Sequence, residues 1–347
     1  MKNIFVSLLL GTALSLAAGA AVQAGTLDDV RQKGFVQCGV SQGLIGFSSP
    51  DEQNNWKGMD VDFCRAVAAA VLGDGQKVKF TPLTAKERFT ALQSGEIDVL
   101  SRNTTWTMSR DTSLGLKFAG VMYYDGQGFL INAKKYPDVK SATQLAGATV
   151  CTQTGTTTEL NLADYFKSNS MEYKLVAFEK NEEALAAFKD GRCDVYTTDQ
   201  SGLYAERLKL PNPEENVVLP EIISKEPLGP VVRQGDDAWF NVVKWTYFAL
   251  VNAEELGITS ANVEEMKQSK NPEVKRLLGA ENEDGTAAGF GIGMGLDEAW
   301  AVNIIKAVGN YGEIFERNVG ENTPLKIARG KNALWKDGGL QYAPPVR

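Results

Sequence analysis

Strands and helices alternate along this chain, and the alternation occurs twice, which limits the fold more than any other feature of the sequence. Strand-like segments lie at 35–40, 77–83, 96–101, 147–152, 173–178 and 193–198. Amphipathic helical segments lie between them at 60–73, 84–95, 156–169 and 181–191. Because strands that alternate with helices form parallel βαβ units, the pattern predicts an α/β protein with two similar lobes.

A short pattern that occurs in both halves of the chain indicates where a ligand would bind. In "LQSGEIDVLSRNT" (92–104) and "FKDGRCDVYTTDQ" (188–200), a helix ends at a glycine three residues before an Asp-Val pair, and a polar loop follows the strand. Ligands of open α/β sheets bind beyond the carboxyl ends of the strands. We therefore expect both polar loops to contribute to one site.

Some element ends are also predicted. Asp60 is placed to cap the helix that Gly73 ends. After residue 226 the sequence predicts a strand and a helix rich in Trp and Phe, and the Gly-rich stretch at 283–296 predicts a loop. Residues 297–320 are expected to be helical, with interruptions at Gly309 and Gly312.

The first 24 residues have the pattern of a secretory signal peptide. Lys2 gives a positive start, residues 4–16 are apolar, and small residues end the segment at Ala24. No cysteine follows the expected cut near Ala24, and no later stretch approaches the roughly 20 apolar residues of a membrane span. We therefore expect a soluble periplasmic protein, and its length exceeds what one core usually holds.

Charge and residue usage exclude several classes of function. A net charge of −7 argues against nucleic-acid binding. The chain has no histidine, which excludes Ser-His-Asp and Cys-His triads and His-ligated metal sites. Carboxylate chemistry stays open, but the balance favours a binding protein, and no cofactor is expected.

The cysteines are even in number in a chain expected to be exported, which favours two disulfides. They are Cys38, Cys64, Cys151 and Cys193. The pairings Cys38–Cys64 and Cys151–Cys193 would each lie within one lobe and contribute about 3–4 kcal/mol, but the connectivity stays open at this point.

The loop "DVLSRNTTWTMSRD" (98–111) is rich in hydroxyl groups and contains Arg110. A guanidinium can hold a carboxylate through two parallel hydrogen bonds. Thr105 and Asn103, five and seven residues earlier, could bond the same ligand. The alternative is a surface arginine paired with Asp111, worth about 0–1 kcal/mol.

The second lobe offers two further candidates. In "TQTGTTTE" (152–159), Thr156 and Thr157 begin a helix whose free N–H groups could hold an anion. The alternative is a capping box of Thr156 and Glu159. Asp199, which ends a strand, could receive an ammonium group or cap the next helix. Together the two lobes would match a zwitterion.

Arg88 and Phe47 complete the candidate set. Arg88 lies on the helix at 84–95, where a solvated position is the alternative to a site residue. Phe47 follows the first strand and could form an apolar wall of the pocket or pack in the core.

With these residues, the chain resembles the periplasmic solute-binding proteins of polar amino-acid ABC transporters. More narrowly, it is similar to the general L-amino-acid and the glutamate/glutamine/aspartate/asparagine-binding proteins. The matching motifs are "GMDVDFCRAVA", "ERFTALQSGEIDVLSRNTTWTMSRD", "YYDGQGFLI", "TGTTTE" and "GRCDVYTTDQS". The resemblance covers residues 26 to about 255, and the narrower likeness continues to the end. It implies a periplasmic-binding-protein type II fold, with two α/β lobes joined by hinge strands near 123–127 and 223–227.

The resemblance also implies a role for each candidate. Arg110 would bind the α-carboxylate of an L-amino acid, Asp199 its α-ammonium, and Arg88 a side-chain carboxylate. The residues that would line the ligand besides these are Asn103, Thr105, Thr156 and Thr157. Closure of the lobes would then present a form that the membrane permease recognises.

Two departures from the acidic amino-acid binders favour a broader polar range. Those proteins have an arginine where this chain has Ser41, and a histidine where Asn181 falls.

The expected organisation has four parts: a signal peptide at 1–24, lobe 1 at 25–124 plus 227–260, lobe 2 at 125–226, and a helical extension at 261–347 that packs on lobe 1. The protein is expected to act as a monomer with an inner-membrane ABC permease. Two other functions stay open. One is a dehydratase of arogenate- or prephenate-like acids, with Glu87 or Asp111 as the acid, and the other is a soluble sensor for a separate receptor.

Overall fold

Two five-stranded sheets joined by a two-stranded ribbon form the framework of the protein. The structure is a computed structural model and describes residues 25–281, 285–286 and 289–347. The predicted signal peptide and part of the Gly-rich stretch at 283–296 lie outside the described residues.

Each of the six segments predicted as strands overlaps one of the strands of the described chain, which also include several that were not predicted. They are β1 (Val36–Val40), β2 (Ser49–Pro50), β3 (Trp56–Lys57), β4 (Val78–Pro82), β5 (Val99–Leu100), β6 (Leu116–Phe118), β7 (Tyr123–Asp125), β8 (Gln127–Asn132), β9 (Thr149–Gln153), β10 (Lys174–Phe178), β11 (Val195–Asp199), β12 (Asn216–Val218), β13 (Glu226–Leu228) and β14 (Val231–Arg233).

The helices alternate with these strands in both halves. They are α1 (Thr26–Lys33), α2 (Met59–Leu72), α3 (Glu87–Ser94), α4 (Met108–Ser113), α5 (Thr157–Ser168), α6 (Asn181–Lys189), α7 (Gln200–Arg207), α8 (Asp237–Glu255), α9 (Val263–Met266), α10 (Pro272–Leu278), α11 (Trp300–Val308) and α12 (Tyr311–Asn318). Within the part of the chain that is described, none of the helices is both long and apolar enough for a membrane span.

The two sheets share one topology. The first has the order β4–β1–β5–β14–β6 and the second the order β10–β9–β11–β8–β12. In each, the first three strands are parallel and the fourth runs in the opposite direction to both of its neighbours. The prediction of two similar α/β lobes is therefore confirmed.

The ribbon between the lobes consists of β7 and β13, which pair in antiparallel fashion with Asp125 opposite Glu226. Both strands overlap the segments predicted as hinges. The described chain leaves the first lobe along β7, forms the second sheet from β8 to β12, and returns along β13 to β14 of the first sheet. Both connections between the lobes therefore run through this ribbon.

The segment after residue 260 packs on lobe 1. α11 lies against α2 and α8. Trp300, Ile305 and Phe315 are buried in the same apolar cluster as Phe63 and Val67 of α2. The aliphatic and aromatic side chains of this segment thus extend the core of lobe 1.

One predicted interruption, at Gly312, is wrong. Gly309 follows the end of α11 as expected, but α12 runs through Gly312. Asn310 starts α12 with a capping box, in which its side chain accepts the N–H of Glu313 at 2.9 Å. Gly312 falls in the first turn, where backbone N–H groups have no intrahelical partner, so the absence of a side chain costs little there.

The cysteines form two disulfides, and the adjacent pairings are the ones adopted. Cys38 of β1 is bonded to Cys64 of α2, and Cys151 of β9 is bonded to Cys193, just before β11. Each bridge lies within one lobe.

Removing the lobe 2 disulfide by Cys151→Ser and Cys193→Ser should lower the free energy of unfolding by about 3–4 kcal/mol, because the bridge closes a loop of 42 residues. Urea unfolding followed by fluorescence measures the change. Dithiothreitol should shift the midpoint of the wild type further than that of the variant. Equal midpoints for both proteins without reductant would contradict the prediction.

Candidate functional site

Polar segments of the two lobes face each other across a cleft. The loop after β5 in lobe 1 meets the segment after β9 in lobe 2, and each lies at the carboxyl end of a parallel strand. Thr105 Oγ1 of lobe 1 lies 3.3 Å from Thr157 Oγ1 of lobe 2. Because Thr157 donates its one hydroxyl hydrogen to Glu226 Oε2 at 2.9 Å, Thr105 is the donor between the threonines. The lobes therefore touch in a closed arrangement.

Asp60 fixes the start of the lobe 1 loop. Its carboxylate accepts hydrogen bonds from Ser101 Oγ and from the backbone N–H of Asn103, each at 3.0 Å. These bonds hold Asn103 at φ +32°, in the left-handed region that asparagine tolerates better than most residues. The capping prediction for Asp60 is wrong, because α2 already begins at Met59 and Gly58 takes the N-cap position.

Burial raises the pKa of Asp60 to about 6, although the hydrogen bonds from Ser101 and Asn103 oppose the shift. The folded protein therefore binds a proton at Asp60 that the unfolded chain releases near pH 4. Stability from this group is full below that pH and is lost as the pH rises through about 6.

Asp60→Asn should accordingly remove a pH dependence. The wild type is expected to lose about 3 kcal/mol of unfolding free energy relative to Asp60→Asn as the pH rises from 4 to 7. Urea titrations of both proteins at each pH measure the difference in unfolding free energy. The contributions of all other titrating groups are the same in both proteins and cancel in this difference. Parallel stability profiles would refute the assigned shift.

Arg110 is buried, with 7% exposed, beneath the lobe 1 loop. Its Nη1 donates to the carbonyl oxygen of Thr105 at 2.9 Å, and its guanidinium lies 5.2 Å from the ring centroid of Phe89. Burial lowers its pKa, and Glu226 and Asp199 partly offset that effect. The alternative of a surface pair with Asp111 is wrong.

Arg88 is also buried rather than solvated, with 3% exposed. Its Nη1 lies 3.4 Å from Thr104 Oγ1, and its Nε has no hydrogen-bond partner among the described residues. Burial lowers its pKa well below the ordinary value, and the nearby charges of Arg102 and Arg110 add to the effect. Within the described chain, no ion pair is formed by Arg88, Arg102 or Arg110.

Asp199 faces the arginines from lobe 2. It takes the N-cap position of α7 but makes no capping hydrogen bond, so the capping alternative is wrong. Burial raises its pKa well above the ordinary value, and the carboxylates of Asp125 and Glu226 raise it further. Arg88 and Arg110 oppose that shift. No residue of the described chain forms an ion pair with this carboxylate, so it is open to a cation.

Thr156 and Thr157 have different roles. Thr156 caps α5, accepting the N–H of Glu159 at 3.3 Å and donating to the carbonyl of Gln153 at 2.7 Å. Glu159 Oε2 in turn accepts the N–H of Gly155 at 3.2 Å. Thr156 is therefore the N-cap, but the reciprocal bond of a capping box is not made, because Glu159 accepts the N–H of Gly155 and not that of Thr156. The cap still occupies the Thr156 hydroxyl and the N–H of Glu159, which the anion interpretation required, whereas Thr157 bonds across the cleft.

Phe47 lies in the core of lobe 1, with 2% exposed. Its ring meets that of Tyr123 edge-on, with centroids 5.3 Å apart. The start of α2 approaches its backbone so closely that a Cβ at Gly58, where φ is +130°, would lie 2.0 Å from the Phe47 oxygen. In the closed arrangement Phe47 therefore packs against Tyr123 of the hinge strand β7.

Two acidic groups of the cleft were missed by sequence reasoning. Glu226, with 1% exposed, accepts hydrogen bonds from Thr157 Oγ1 and from Asn161 Nδ2, the latter at 2.7 Å. Asp125, opposite it in the ribbon, accepts hydrogen bonds from Ser201, and burial raises its pKa to about 6. No motif marks either residue, because the partners that place them in the cleft, Asn161 and Thr157 for Glu226 and Ser201 for Asp125, lie 65 to 76 positions away.

A third missed residue is Arg102, which lines a cavity between the lobes. The same cavity is lined by Ser41 and Asn103 of lobe 1 and by Asn181 and Asp199 of lobe 2. Its free volume is about 40 Å³. The two positions that depart from the acidic amino-acid binders, Ser41 and Asn181, thus lie at one place in the cleft.

Comparison with known proteins agrees with this architecture. A profile of the bacterial extracellular solute-binding proteins, family 3, matches residues 36–261. The chain is 64% identical over 347 residues to the general L-amino acid-binding periplasmic protein AapJ of Rhizobium johnstonii, covering 100% of both chains. It is 56% identical over 334 residues to the glutamate/glutamine/aspartate/asparagine-binding protein BztA of Rhodobacter capsulatus, covering 96% of each.

A solved structure is also similar. It is an ABC transporter periplasmic binding protein from Brucella ovis with glutathione bound, with a TM-score of 0.91 and 67% identity over 94% of this chain and 100% of that one. These matches confirm the resemblance seen in the motifs. The chain belongs to the bacterial extracellular solute-binding proteins, family 3.

Proposed function

We propose that this protein binds free L-amino acids in the periplasm and delivers them to an ABC permease of the inner membrane. The observation that carries the proposal is a pair of opposite charges, Arg110 on lobe 1 and Asp199 on lobe 2. Both are buried, and each affects the pKa of the other. A carboxylate and an ammonium group on one ligand would satisfy both, which lowers the cost of burying them.

The ligand contacts follow from this pair. Arg110 binds the α-carboxylate and Asp199 binds the α-ammonium, while the buried Arg88, whose Nη1 lies 3.4 Å from Thr104 Oγ1, adds positive charge. The polar residues proposed to line the ligand are Asn103, Thr105 and Thr157, whereas the hydroxyl of Thr156 is engaged in the cap of α5. Phe47 supports this arrangement from the core rather than by direct contact.

Polar amino acids, both acidic and amide, are the proposed ligands. The names of the relatives support a range of this kind, since AapJ is named for general L-amino acids and BztA for glutamate, glutamine, aspartate and asparagine. Ser41 and Asn181 are smaller or neutral where strict acidic binders have charged groups, so amide side chains should also be accepted.

Closure of the two lobes couples binding to transport. Buried charges that lack partners make the empty closed state costly, and a ligand that supplies both partners shifts the population toward closure. The free volume of about 40 Å³ holds only a few water molecules, so an amino acid needs a slightly wider cleft than the one described. The permease would recognise the closed form.

The proposed organisation places lobe 1 at 25–124 plus 227–260, lobe 2 at 125–226 and the extension at 261–347 on lobe 1. The mature protein acts as a periplasmic monomer after cleavage near Ala24.

The protein has no enzymatic activity in this proposal. Of the two acids considered for a dehydratase, Glu87 is exposed, and hydrogen bonds from Thr84 lower its pKa, which is the opposite of what a general acid requires.

Thermal-shift screening of ligand-free protein against the twenty L-amino acids tests the proposal. A ligand at one hundred times its dissociation constant should stabilise the protein by about 2.7 kcal/mol. Sugars and D-amino acids serve as controls and should give no shift. The proposal fails if no L-amino acid stabilises the protein, or if arogenate or prephenate is turned over.

A further inference from the structure

Arg102 has hydrogen-bond donors that the protein itself does not use. It is 5% exposed, and its Nε donates to the carbonyl oxygen of Leu83 at 3.0 Å. Among the described residues, neither terminal nitrogen has a hydrogen-bond or ion-pair partner. A guanidinium has five N–H donors, so the four on the terminal nitrogens are available, and the side chain lines the interlobe cavity.

The backbone bond at Nε also fixes the orientation of the guanidinium plane. The loop that carries Arg102 is held on both sides by Asp60, through Ser101 and Asn103. The oxygens of Asp60 are therefore already engaged, and Asp60 influences Arg102 only through its charge. A rigid guanidinium with its terminal nitrogens open is suited to bidentate recognition of a carboxylate.

The opposite wall of the cavity offers another donor. Asn181 Oδ1 accepts a hydrogen bond from the Tyr196 hydroxyl, and Asn181 Nδ2 donates to Glu206 Oε1 at 2.8 Å. These two bonds fix which end of the amide is the nitrogen, and one of its two hydrogens is not used by them. Asn181 lines the same cavity as Arg102.

Closure of the lobes sets the distance between the two walls. Lys209 Nζ donates to the carbonyl oxygen of Gly43 of lobe 1 at 2.7 Å and to Glu206 Oε1 at 3.0 Å. Glu206 thus connects the contact between the lobes to the amide of Asn181. With this contact made, Arg102 and Asn181 line one cavity.

We propose that Arg102 is a specificity-determining residue of the cleft, and that its terminal nitrogens, with Asn181 opposite, bind an oxygen-bearing end of the ligand side chain. A distal carboxylate is favoured over a distal amide, and an apolar side chain gains nothing. The inference rests on the proposed amino-acid binding and adds a determinant of selectivity to it. Arg88 is buried and does not line this cavity, so it contributes charge without this direct contact.

Calorimetric titration of Arg102→Gln with L-glutamate, L-glutamine and L-alanine tests the inference. Loss of one partner of a buried charged pair should weaken L-glutamate binding about 100-fold and L-glutamine binding less than about 10-fold. L-Alanine affinity should stay within about 3-fold, because alanine does not reach Arg102. Arg102→Lys keeps the charge but not the bidentate geometry, so it should lie between wild type and Arg102→Gln.

Two further variants control the experiment. Arg192→Gln, on the exposed surface of lobe 2, should change none of the affinities. If Arg88→Gln rather than Arg102→Gln removes the preference for L-glutamate over L-alanine, the inference is overturned. It is equally overturned by an equal loss for all three ligands, or by no loss for L-glutamate. Should Arg102→Gln fail to fold, Arg102→Lys decides the question by the same ratio. A wild type that binds none of the three ligands would overturn the proposed function as well.

Discussion

Arg110→Gln is expected to reduce the affinity for L-glutamine by two to three orders of magnitude. Glutamine at this position cannot neutralise the α-carboxylate, which would then be buried without a positive partner, at a cost of about 3–5 kcal/mol. Isothermal titration at pH 7 measures the change. Because every free amino acid carries an α-carboxylate, the same loss should appear for L-glutamate and L-alanine.

The ligand itself supplies a matched control for Arg110. The α-carboxamide of L-glutamine lacks the charge that Arg110 is proposed to bind, so the wild type should bind it weakly and Arg110→Gln no more weakly. The difference between the two ligands should therefore nearly vanish in the variant. If Arg110→Gln weakens both ligands equally, the effect is structural and the assigned role of Arg110 is refuted.

Local sequence determines much of the fold, and those parts were predictable. The apolar spacing of α2 and the left-handed Gly73 that follows it involve only neighbouring residues. The cap of α5 by Thr156 depends on Glu159, three positions away. The duplication of the strand and helix order then predicts the shared topology of the sheets, since each βαβ unit has one favoured handedness.

The features that sequence reasoning missed depend on partners far away in the chain. Asp60 bonds to groups 41 and 43 positions later, so the pattern around it suggested only a cap. Glu226 meets Thr157 at a separation of 69 positions. Within the described chain both terminal nitrogens of Arg102 are open, because its Nε makes the bond to Leu83, whereas Nη1 of Arg110 is bonded to Thr105. Such long-range contacts leave no periodic signal.

Asp199→Asn is expected to have two opposite effects. The affinity for L-glutamine should fall about 100-fold, because the α-ammonium loses its buried carboxylate. Without ligand, however, the variant should close more readily than the wild type. Burial and the carboxylates of Asp125 and Glu226 hold the pKa of Asp199 well above its ordinary value, so its charge opposes closure at neutral pH. A neutral amide of nearly the same shape removes that repulsion.

Scattering and calorimetry together separate these two effects. The radius of gyration of ligand-free Asp199→Asn from small-angle X-ray scattering should be smaller than that of the ligand-free wild type, and saturating L-glutamine should contract the wild type more than the variant. The 2-hydroxy analogue of the ligand, which lacks the ammonium group and leaves the charge of Asp199 unpaired, should bind the variant at least as tightly as the wild type. If the variant keeps full affinity for L-glutamine, Asp199 does not receive the ammonium group. If it loses affinity for both ligands equally while its ligand-free dimensions stay unchanged, the carboxylate acts on the fold of lobe 2 rather than on closure.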